Sequence, residues 1–395
     1  MYIRRALEKD VIEGAKFFPG VAILGPRQSG KTTMAKHVFP KHAYVSLEPE
    51  DIREFAQVDP RGFIEEYRNK HGLIIDEFQQ APSLPTYLQT IMDEEKKLGF
   101  FVLTGSQNFL VNKAITQSLP GRVSLHTLLP LSADELSASD LLPDSFDTVI
   151  VKGMFPAIYT KKTPARRLYG QYLRTYLEKD LHQLSNVGDL SNFRRFLELC
   201  AGLVGQTLNL TELGNDAGVS DQTAERWLSV LEASYIVFRL QPYEKSFGKR
   251  LVKRSKLYFY DTGLVCHLLK KQKLSATDPF RGPLFECFVM SEIVKNYYNR
   301  GHQPDVFFWR DQYGHEVDCI AKYGDYIAGI EIKASKTFSR SFASDLIYWK
   351  EQAREEDPQL YVVYGESKKH RSGPKNLISW QSVGKILDFL PGAHE

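Results

Sequence analysis

The sequence lacks the features that mark a membrane protein or a secreted, disulfide-bonded one. No apolar run approaches the roughly 20 residues that cross a bilayer, and the first ten residues are charged and include no apolar signal segment. The four cysteines are scattered without a C-x-x-C pair, which indicates neither a zinc site nor a disulfide framework. They are Cys200, Cys266, Cys287 and Cys319. The sequence therefore predicts buried thiols in a cytoplasmic protein that has no membrane partner.

A strong charge of either sign is also missing. The 51 basic and 48 acidic residues leave a formal net charge of +3, so any surface for a polyanion must be local. The hydrophobic fraction of 43% and the charged fraction of 25% are ordinary for a globular protein. At 395 residues the chain is too long for one hydrophobic core, and we expect roughly two to four domains.

The chain is organised around a glycine-rich segment that follows a short apolar run. Residues 21–24 predict a buried strand, and the pattern G-x-x-x-x-G-K-[ST] follows at 25–32. Its glycines allow backbone N–H groups to point at an anion, and the next helix adds its positive dipole end. The Lys31 ammonium can reach the β- and γ-phosphates, while the Thr32 hydroxyl can bind Mg²⁺. The predicted nucleotide-binding residues are Gly25, Pro26, Arg27, Gln28, Ser29, Gly30, Lys31, Thr32 and Thr33.

A second apolar run ends in two carboxylates. Residues 72–75 predict a strand that Asp76 and Glu77 follow, and strands alternate with helical segments along this part of the chain. Asp76 is predicted to hold Mg²⁺ together with Thr32, and Glu77 is predicted to orient and deprotonate the attacking water. The predicted cofactors are therefore ATP and Mg²⁺.

Polar residues follow a further predicted strand at 99–103. The carboxyl end of a parallel strand faces the nucleotide crevice, so Ser106, with Asn108 as second choice, is predicted to position the lytic water. An ordinary polar turn is the alternative. Arg122 precedes the next strand, where a ring-forming ATPase presents an arginine to the γ-phosphate of a neighbouring subunit, although a plain surface arginine would look the same. A homo-oligomer is therefore expected.

Residues 17–135 resemble the AAA-type P-loop module of a large group of prokaryotic ATPases. The resemblance rests on the segments 25–33, 75–79, 103–106, 121–122 and 130–132. In that group a C-terminal region of unknown function follows, which resembles the PD-(D/E)XK nucleases. The likeness extends over nearly the whole chain, and it implies ATP binding and hydrolysis without indicating a biological role.

The middle of the chain predicts a helical region and then a winged helix. Residues 166–184 place apolar side chains at helical spacing, and Arg166, Arg167 and Arg174 are equivalent candidates for an arginine that a helical lid directs at the nucleotide. Further on, two short helices joined by a turn precede two strands, which is the order of a helix-turn-helix with a β-wing.

The predicted wing carries a local basic surface. The loop at 244–256 has six basic residues against one acid, which suits phosphate contacts on DNA. The six are Lys245, Lys249, Arg250, Lys253, Arg254 and Lys256. The outward-facing residues of the second short helix are predicted to be Gln222, Thr223, Glu225 and Arg226. Winged helices also serve as lids or protein-docking modules, so a protein partner is the alternative.

The C-terminal part carries an acidic pattern on two predicted strands that follow a helix. Asp318 lies on the first strand, and Glu331 and Lys333 share one face of the second because side chains alternate along a strand. Asp318 and Glu331 are predicted to hold Mg²⁺ with Glu286 of the helix, while Lys333 stabilises charge on a phosphorane. Cleavage of nucleic acid and a pure binding role both remain open for this pattern.

These patterns together predict an α/β protein. We expect a P-loop parallel-sheet ATPase domain at 1–137, a linker and helical region at 138–204, a winged helix at 205–275 and a C-terminal α/β restriction-endonuclease-like domain at 276–395. The predicted function is an AAA-type ATPase that binds and hydrolyses ATP and couples that cycle to nucleic acid, in the first place DNA. The alternative is a nucleotide-dependent regulatory switch that docks a protein partner and has an inactive nuclease-like domain.

Overall fold

Two β-sheets and the helices around them make up the part of the chain that the structure describes. The computed structural model describes residues 1–106, 119–185, 190–243, 254–337, 339–353, 357–366 and 376–389, with backbone alone at 176–185, 340 and 389. Several residues singled out above lie outside these ranges: Asn108, Lys245, Lys249, Arg250 and Lys253.

The N-terminal sheet has five parallel strands in the order β2-β3-β4-β1-β5, which confirms the predicted parallel sheet. The strands are β1 (Gly20–Leu24), β2 (Ala43–Ser46), β3 (Leu73–Asp76), β4 (Phe101–Gly105) and β5 (Val123–Thr127). Every residue of β1, β3 and β4 is buried, as expected for strands that helices cover on both faces. Because β4 lies between β1 and β3, the loop after β1 and the carboxylates after β3 meet at one edge of the sheet.

Among the described residues, five helices belong to this sheet, and the first of them begins later than its sequence suggests. They are α1 (Glu8–Phe17), α2 (Lys31–Val38), α3 (Glu50–Val58), α4 (Pro60–Tyr67) and α5 (Leu84–Glu95). The charged pattern at 2–16 predicts a helix from Tyr2, but α1 begins at Glu8 because carboxylates accept hydrogen bonds from the N–H groups before it. Arg5 N donates to Glu8 Oε1 at 2.7 Å, and Ala6 N donates to Glu135 Oε1 at 2.8 Å.

The middle of the chain is helical as predicted, and a β-hairpin follows. The helices are α6 (Ala133–Ser137), α7 (Phe146–Lys152), α8 (Pro156–Thr160), α9 (Ala165–Ser185), α10 (Leu190–Gly202), α11 (Leu210–Ala217) and α12 (Asp221–Ala233). Strands β6 (Val237–Pro242) and β7 (Lys256–Phe259) pair antiparallel, and α13 (Thr262–Leu268) comes next. The order from α11 to β7 matches the predicted elements, while its identification as a winged helix stays a prediction.

A mixed sheet of seven strands, in the order β12-β11-β10-β9-β8-β6-β7, occupies the C-terminal part. Its further strands are β8 (Val306–Arg310), β9 (Glu316–Tyr323), β10 (Tyr326–Lys333), β11 (Gln359–Tyr364) and β12 (Leu377–Ser379). Helices α14 (Arg281–Tyr298) and α15 (Ser344–Gln352) accompany them. Because β6 pairs parallel with β8, the hairpin predicted for a separate winged helix extends the C-terminal sheet.

The largest apolar core is shared between the middle and C-terminal parts. It joins residues of α9 to α14 with strands β8 to β11 and the turn at Trp380–Lys385, so these regions pack as one body. Cys200, Cys266, Cys287 and Cys319 are all buried in this body with free thiols. No helix among the described residues is both long enough and apolar enough to traverse a bilayer.

Candidate functional site

The glycine-rich loop runs from the end of β1 to the start of α2. At two of its positions the backbone conformation is one that only glycine adopts without strain. Gly25 has φ +146°, and a Cβ there would lie 2.1 Å from the Leu128 carbonyl oxygen. Gly30 has φ +98° and precedes the first turn of α2. Both values lie where L side chains are strained, so the motif's glycines are required by this backbone. The loop therefore places backbone N–H groups at the dipole end of α2.

Lys31 is the first residue of α2, and its side chain folds against the loop. Only 6% of the residue is exposed, and its Nζ donates to the carbonyl oxygens of Gly25 at 3.0 Å and Pro26 at 2.8 Å. The ammonium is thus held on the side of the loop where a phosphate is predicted to bind. This placement supports the prediction that the Lys31 ammonium contacts the β- and γ-phosphates.

The two predicted magnesium ligands are in direct contact. The Thr32 hydroxyl donates to the Asp76 carboxylate, with its Oγ1 2.9 Å from Oδ1 and 3.0 Å from Oδ2. Tyr44 donates to Asp76 Oδ2 at 3.0 Å, and the hydroxyl of Thr104 on β4 donates to Oδ1. Burial and then the Asp76 charge raise the pKa of Tyr44 to about 12, so the phenol remains a donor. A hydroxyl beside a carboxylate is a donor set that fits Mg²⁺.

Glu77 is presented to the cleft by an unusual backbone conformation. Its φ of +54° is in the left-handed region, which costs about 1–3 kcal/mol for a residue other than glycine. Its Oε2 accepts a hydrogen bond from Ser106 Oγ at 2.9 Å and a second from Gln79 Nε2. Ser106 therefore contacts the predicted base itself, so its geometry suits positioning Glu77 rather than water.

A cleft of about 740 Å³ opens between the glycine-rich loop and helices α8 and α9. Pockets for small organic ligands usually measure roughly 300–1,000 Å³, so the cleft can take a nucleotide. The loop and β3 contribute Arg27, Gln28, Gly30, Lys31, Thr32, Thr33 and Glu77 to its walls. The two helices and the turn between them contribute Pro156, Ala157, Thr160, Lys161, Thr163, Arg167, Leu168, Gln171 and Thr175.

The structure separates the three arginines that the sequence leaves equivalent. Arg167 lines the cleft, whereas Arg166 lines a different cavity, shared by α9, α10 and α13. Arg174 is exposed on α9. Arg167 is thus the candidate whose guanidinium can reach a phosphate in this cleft.

Replacing Arg167 by alanine should weaken ATP binding about tenfold or more, since a hydrogen bond to a charged group contributes roughly 1.5–3 kcal/mol. The neighbouring Arg166→Ala variant is the matched control, because the same charge is removed from the other side of α9. Titration of a fluorescent ATP analogue measures both. Equal losses in the two variants would refute the assignment of Arg167.

Arg122 lies away from the cleft of its own chain. Its backbone oxygen accepts from Gly20 N at 3.0 Å, which places it at the amino end of β1, opposite the glycine-rich loop. Its guanidinium bonds both carboxylate oxygens of Asp93, at 2.6 and 2.8 Å. A role at the nucleotide of the same chain is therefore excluded by position, and the predicted role in a neighbouring subunit stays a prediction.

Arg5 supports this site from outside the cleft, and no local sequence pattern marks it. It is 5% exposed, and its guanidinium donates to the carbonyl oxygens of Ser29 at 2.9 Å and Leu129 at 2.7 Å. It also pairs with Glu135, 3.0 Å away and 130 residues further along the chain. Arg5 thus fastens the glycine-rich loop to the segment after β5.

The acidic pattern of the C-terminal sheet forms a second polar cluster. Asp318 and Glu331 are 9% and 4% exposed on β9 and β10, and Lys333 contacts Glu331 Oε1. Asp318 Oδ2 accepts from Ile332 N at 2.8 Å. Burial, then repulsion from Glu286 and Glu331, raises the pKa of Asp318 well above its usual value.

Lys256, predicted to contact DNA phosphates at the wing, lies inside this cluster instead. It is 4% exposed, its Nζ is 3.1 Å from Glu286 Oε1, and it also contacts Glu316. The prediction is wrong because Lys256 starts strand β7, which lies at the edge of the sheet beside α14. Burial opposes its charge, but the carboxylates of Glu286, Asp318 and Glu316 more than compensate and raise its pKa.

The predicted C-terminal magnesium site does not fit the residues as they are arranged. Within the described ranges, no three His, Cys, Asp or Glu side chains are grouped so that they could hold a metal ion. Glu286 is engaged by Lys256 and by the hydroxyl of Tyr258. We therefore derive no chemical step through a metal at Glu286, Asp318 and Glu331.

The second helix of the predicted winged helix keeps only part of its predicted outward face. Gln222 and Arg226 are exposed on α12. Thr223 is half-buried, and its backbone N–H donates to the capping Ser220 hydroxyl at 3.2 Å. Glu225 accepts from Arg239 at 2.9 and 3.1 Å, so it is engaged within the chain.

Comparison with known proteins gives three successive family matches. Residues 18–137 match the AAA domain family, residues 143–275 match the Domain of unknown function (DUF8612), and residues 281–383 match the Domain of unknown function (DUF4143). The first match supports the AAA-type ATPase domain. No relation to nucleases comes from the third.

The chain is also similar to bacterial proteins over much of its length. It is 30% identical over 355 residues to uncharacterized protein Rv2008c of Mycobacterium tuberculosis, covering 87% of this chain and 76% of that protein. An uncharacterized protein of Haemophilus influenzae is 23% identical over 245 residues, which is 58% of each chain. Among solved structures, the Walker-type ATPase PABY2304 of Pyrococcus abyssi gives a TM-score of 0.45 at 14% identity, over 68% of this chain and 96% of that one.

Proposed function

Because this chain belongs to the family that includes protein Rv2008c of Mycobacterium tuberculosis and carries an AAA-type ATPase domain, we propose that it hydrolyses Mg·ATP and couples that cycle to nucleic acid. One observation carries the proposal. The cleft between the glycine-rich loop and α8–α9 brings Lys31, Thr32 and Glu77 to one wall and Arg167 to the other.

Each side chain of the cleft has a distinct task in the proposed reaction. The loop N–H groups, Lys31 and Arg167 bind the phosphates and orient the γ-phosphoryl group. Thr32 and Asp76 would hold Mg²⁺, which would neutralise charge on the β- and γ-phosphates. Glu77 takes a proton from the attacking water. The water oxygen then bonds to the γ-phosphorus, and the bond between the γ-phosphorus and the bridging oxygen, which leaves with ADP, breaks. Ser106 and Gln79 hold Glu77 in place.

Contacts around Asp261 offer a route from the cleft to the hairpin. Met154 N, two residues before the cleft-lining Pro156, donates to Asp261 Oδ2 at 2.7 Å. Tyr169 of α9 donates to Asp261 Oδ1 at 2.6 Å. Asp261 caps α13 through Leu264 N and follows the end of β7. A change in the cleft walls would therefore act on the hairpin directly, which supports coupling.

Two exposed arginines and an exposed glutamine of the proposed winged helix favour nucleic acid as the partner. Gln222 and Arg226 on α12 are exposed, and so is Arg254 just before β7. Such side chains suit contacts to phosphates and base edges. The second candidate is a protein partner. The acids of α12 are Asp221, Glu225 and Glu232 against the one base Arg226, and Arg239 pairs with both glutamates, so this helix offers a phosphate backbone little net attraction.

One experiment separates these two candidates. ATP turnover and duplex DNA binding are measured together over a series of salt concentrations. If DNA is the partner, it should raise turnover, and log Kobs should fall with log salt by about 0.9 per phosphate contact. Arg254→Ala should then reduce that slope by about 1. The control is Lys97→Ala, an exposed lysine of the ATPase domain that pairs with Glu95. DNA-independent turnover and no salt-dependent binding would favour the protein-docking switch.

A further inference from the structure

A cluster of four carboxylates and two lysines lies where β7, α14, β9 and β10 meet, and Lys256, Asp318 and Glu331 are its buried members. The acids are Glu286, Glu316, Asp318 and Glu331, and the bases are Lys256 and Lys333. We infer that the ammonium of Lys256 is the resident cation of this cluster and excludes a divalent metal from it. The inference is independent of ATP hydrolysis, and it bears on whether the C-terminal part can act as a metal-dependent nuclease.

Lys256 uses the oxygens that a metal would need. Its Nζ lies 3.1 Å from Glu286 Oε1 and contacts Glu316 Oε1, and the same oxygen of Glu286 accepts from the Tyr258 hydroxyl. A divalent cation binds carboxylate oxygens at roughly 2.0–2.6 Å and requires several of them to converge. An ammonium hydrogen-bonded between the two glutamates occupies that space and supplies positive charge of its own.

One carboxylate oxygen of the cluster is left unbonded by both lysines. Glu331 is 4% exposed, its Oε1 contacts Lys333, and its Oε2 is buried with no hydrogen-bond partner among the described residues. A buried, unpaired carboxylate oxygen is costly unless a positive charge lies nearby. Glu331 thus keeps one carboxylate oxygen that can add to those of Glu286 and Glu316 once the Lys256 ammonium no longer holds them.

The backbone keeps the ammonium in place. Lys256 pairs with Leu240 of β6 on one side and forms a bridge with Thr207 on the other. The residues next to it are also tied: Leu208 N donates to Ser255 O at 2.8 Å, and Gly205 N donates to Leu257 O at 2.8 Å. The Lys256 side chain is only 5% exposed, so the fixed backbone and the packing around the side chain together hold the ammonium against the two glutamates.

Mn²⁺ binding to the full chain without nucleotide, followed by electron paramagnetic resonance, tests this inference. The carboxylates are not grouped for a metal while the ammonium holds Glu286 and Glu316, but without it they are free to turn toward one another. Lys256→Met should therefore gain one Mn²⁺ site, with affinity at least about tenfold above any site in the parent. That site should be lost again in the Lys256→Met/Asp318→Asn double variant. The matched control is Lys295→Met, because Lys295 is also buried and pairs with a buried acid, Glu292, at 2.8 Å. The control should gain no site.

A second test uses a variant that keeps Lys256, so its result does not depend on whether Lys256→Met folds. Asp318→Asn alone should leave nucleotide-free Mn²⁺ binding unchanged, because the parent holds no metal at the cluster. If Asp318→Asn removes a Mn²⁺ site from the parent, the inference is overturned. A folded Lys256→Met protein, checked by circular dichroism and gel filtration, that gains no Mn²⁺ site would overturn it as well.

Discussion

Replacing Glu77 by glutamine should lower kcat for ATP hydrolysis by about 10²–10⁴-fold, the range that general-base catalysis contributes. The amide keeps the size and hydrogen-bonding reach of the side chain but cannot accept the proton of the attacking water. ATP binding should stay intact, because the phosphates are held by the loop, Lys31 and Arg167. A phosphate-release assay combined with nucleotide titration separates the two effects.

Two further variants make the test of Glu77 specific. Lys31→Ala should lose both binding and turnover, since it removes the charge next to the phosphates. Ser106→Ala should leave ATP bound and slow turnover less than the Glu77 variant, because Glu77 keeps its second donor, Gln79. Turnover close to that of the parent in the Glu77→Gln protein would show that another group activates the water.

The N-terminal sheet and the loop could be predicted because their signals are local. β1, β3 and β4 are short apolar runs, and strands covered on both faces require little else. The glycine-rich loop is equally local, since the positive φ values of Gly25 and Gly30 are requirements of consecutive residues. The role of Asp76 could be predicted from its place at the end of such a strand. The contacts of Thr104 and Tyr44 with Asp76 could not be predicted, because they depend on which strands become neighbours.

Polar residues whose partners are remote in sequence escaped prediction. Lys256 looked like one more base of a basic loop, but it starts an edge strand beside α14 and meets Glu286, 30 residues away. The same limit explains why Arg166 and Arg167 could not be separated, since the face of α9 that meets the cleft depends on the tertiary packing of that helix. Sequence patterns predict the helices and strands of this chain, whereas the partner of a buried charge can be identified only in the assembled fold.

Arg5 is the clearest case, and replacing it by methionine should lower the free energy of unfolding by about 3 kcal/mol. Removing one member of a buried ion pair typically costs roughly 3–5 kcal/mol. The lower end applies because Glu135 keeps the N–H donors of Ala6 and Ser132. Chemical denaturation followed by fluorescence measures the change. The matched control is Arg4→Met. The Arg4 side chain is 80% exposed, and its only contact with an acid in the described part of the chain is a loose one, with Nε 3.8 Å from Glu8 Oε2.

The Arg5 variant should also weaken nucleotide binding, although Arg5 does not line the cleft. Its guanidinium holds the Ser29 carbonyl oxygen inside the glycine-rich loop, and that anchor keeps the neighbouring N–H groups aligned before the phosphates arrive. We therefore expect a higher Kd for ATP in Arg5→Met at temperatures where the protein is still folded, and no change in Arg4→Met. If Arg5→Met loses stability but binds ATP like the parent, the loop is held by its own turn and by Lys31. Arg5 would then serve only to join the N-terminus to the segment after β5.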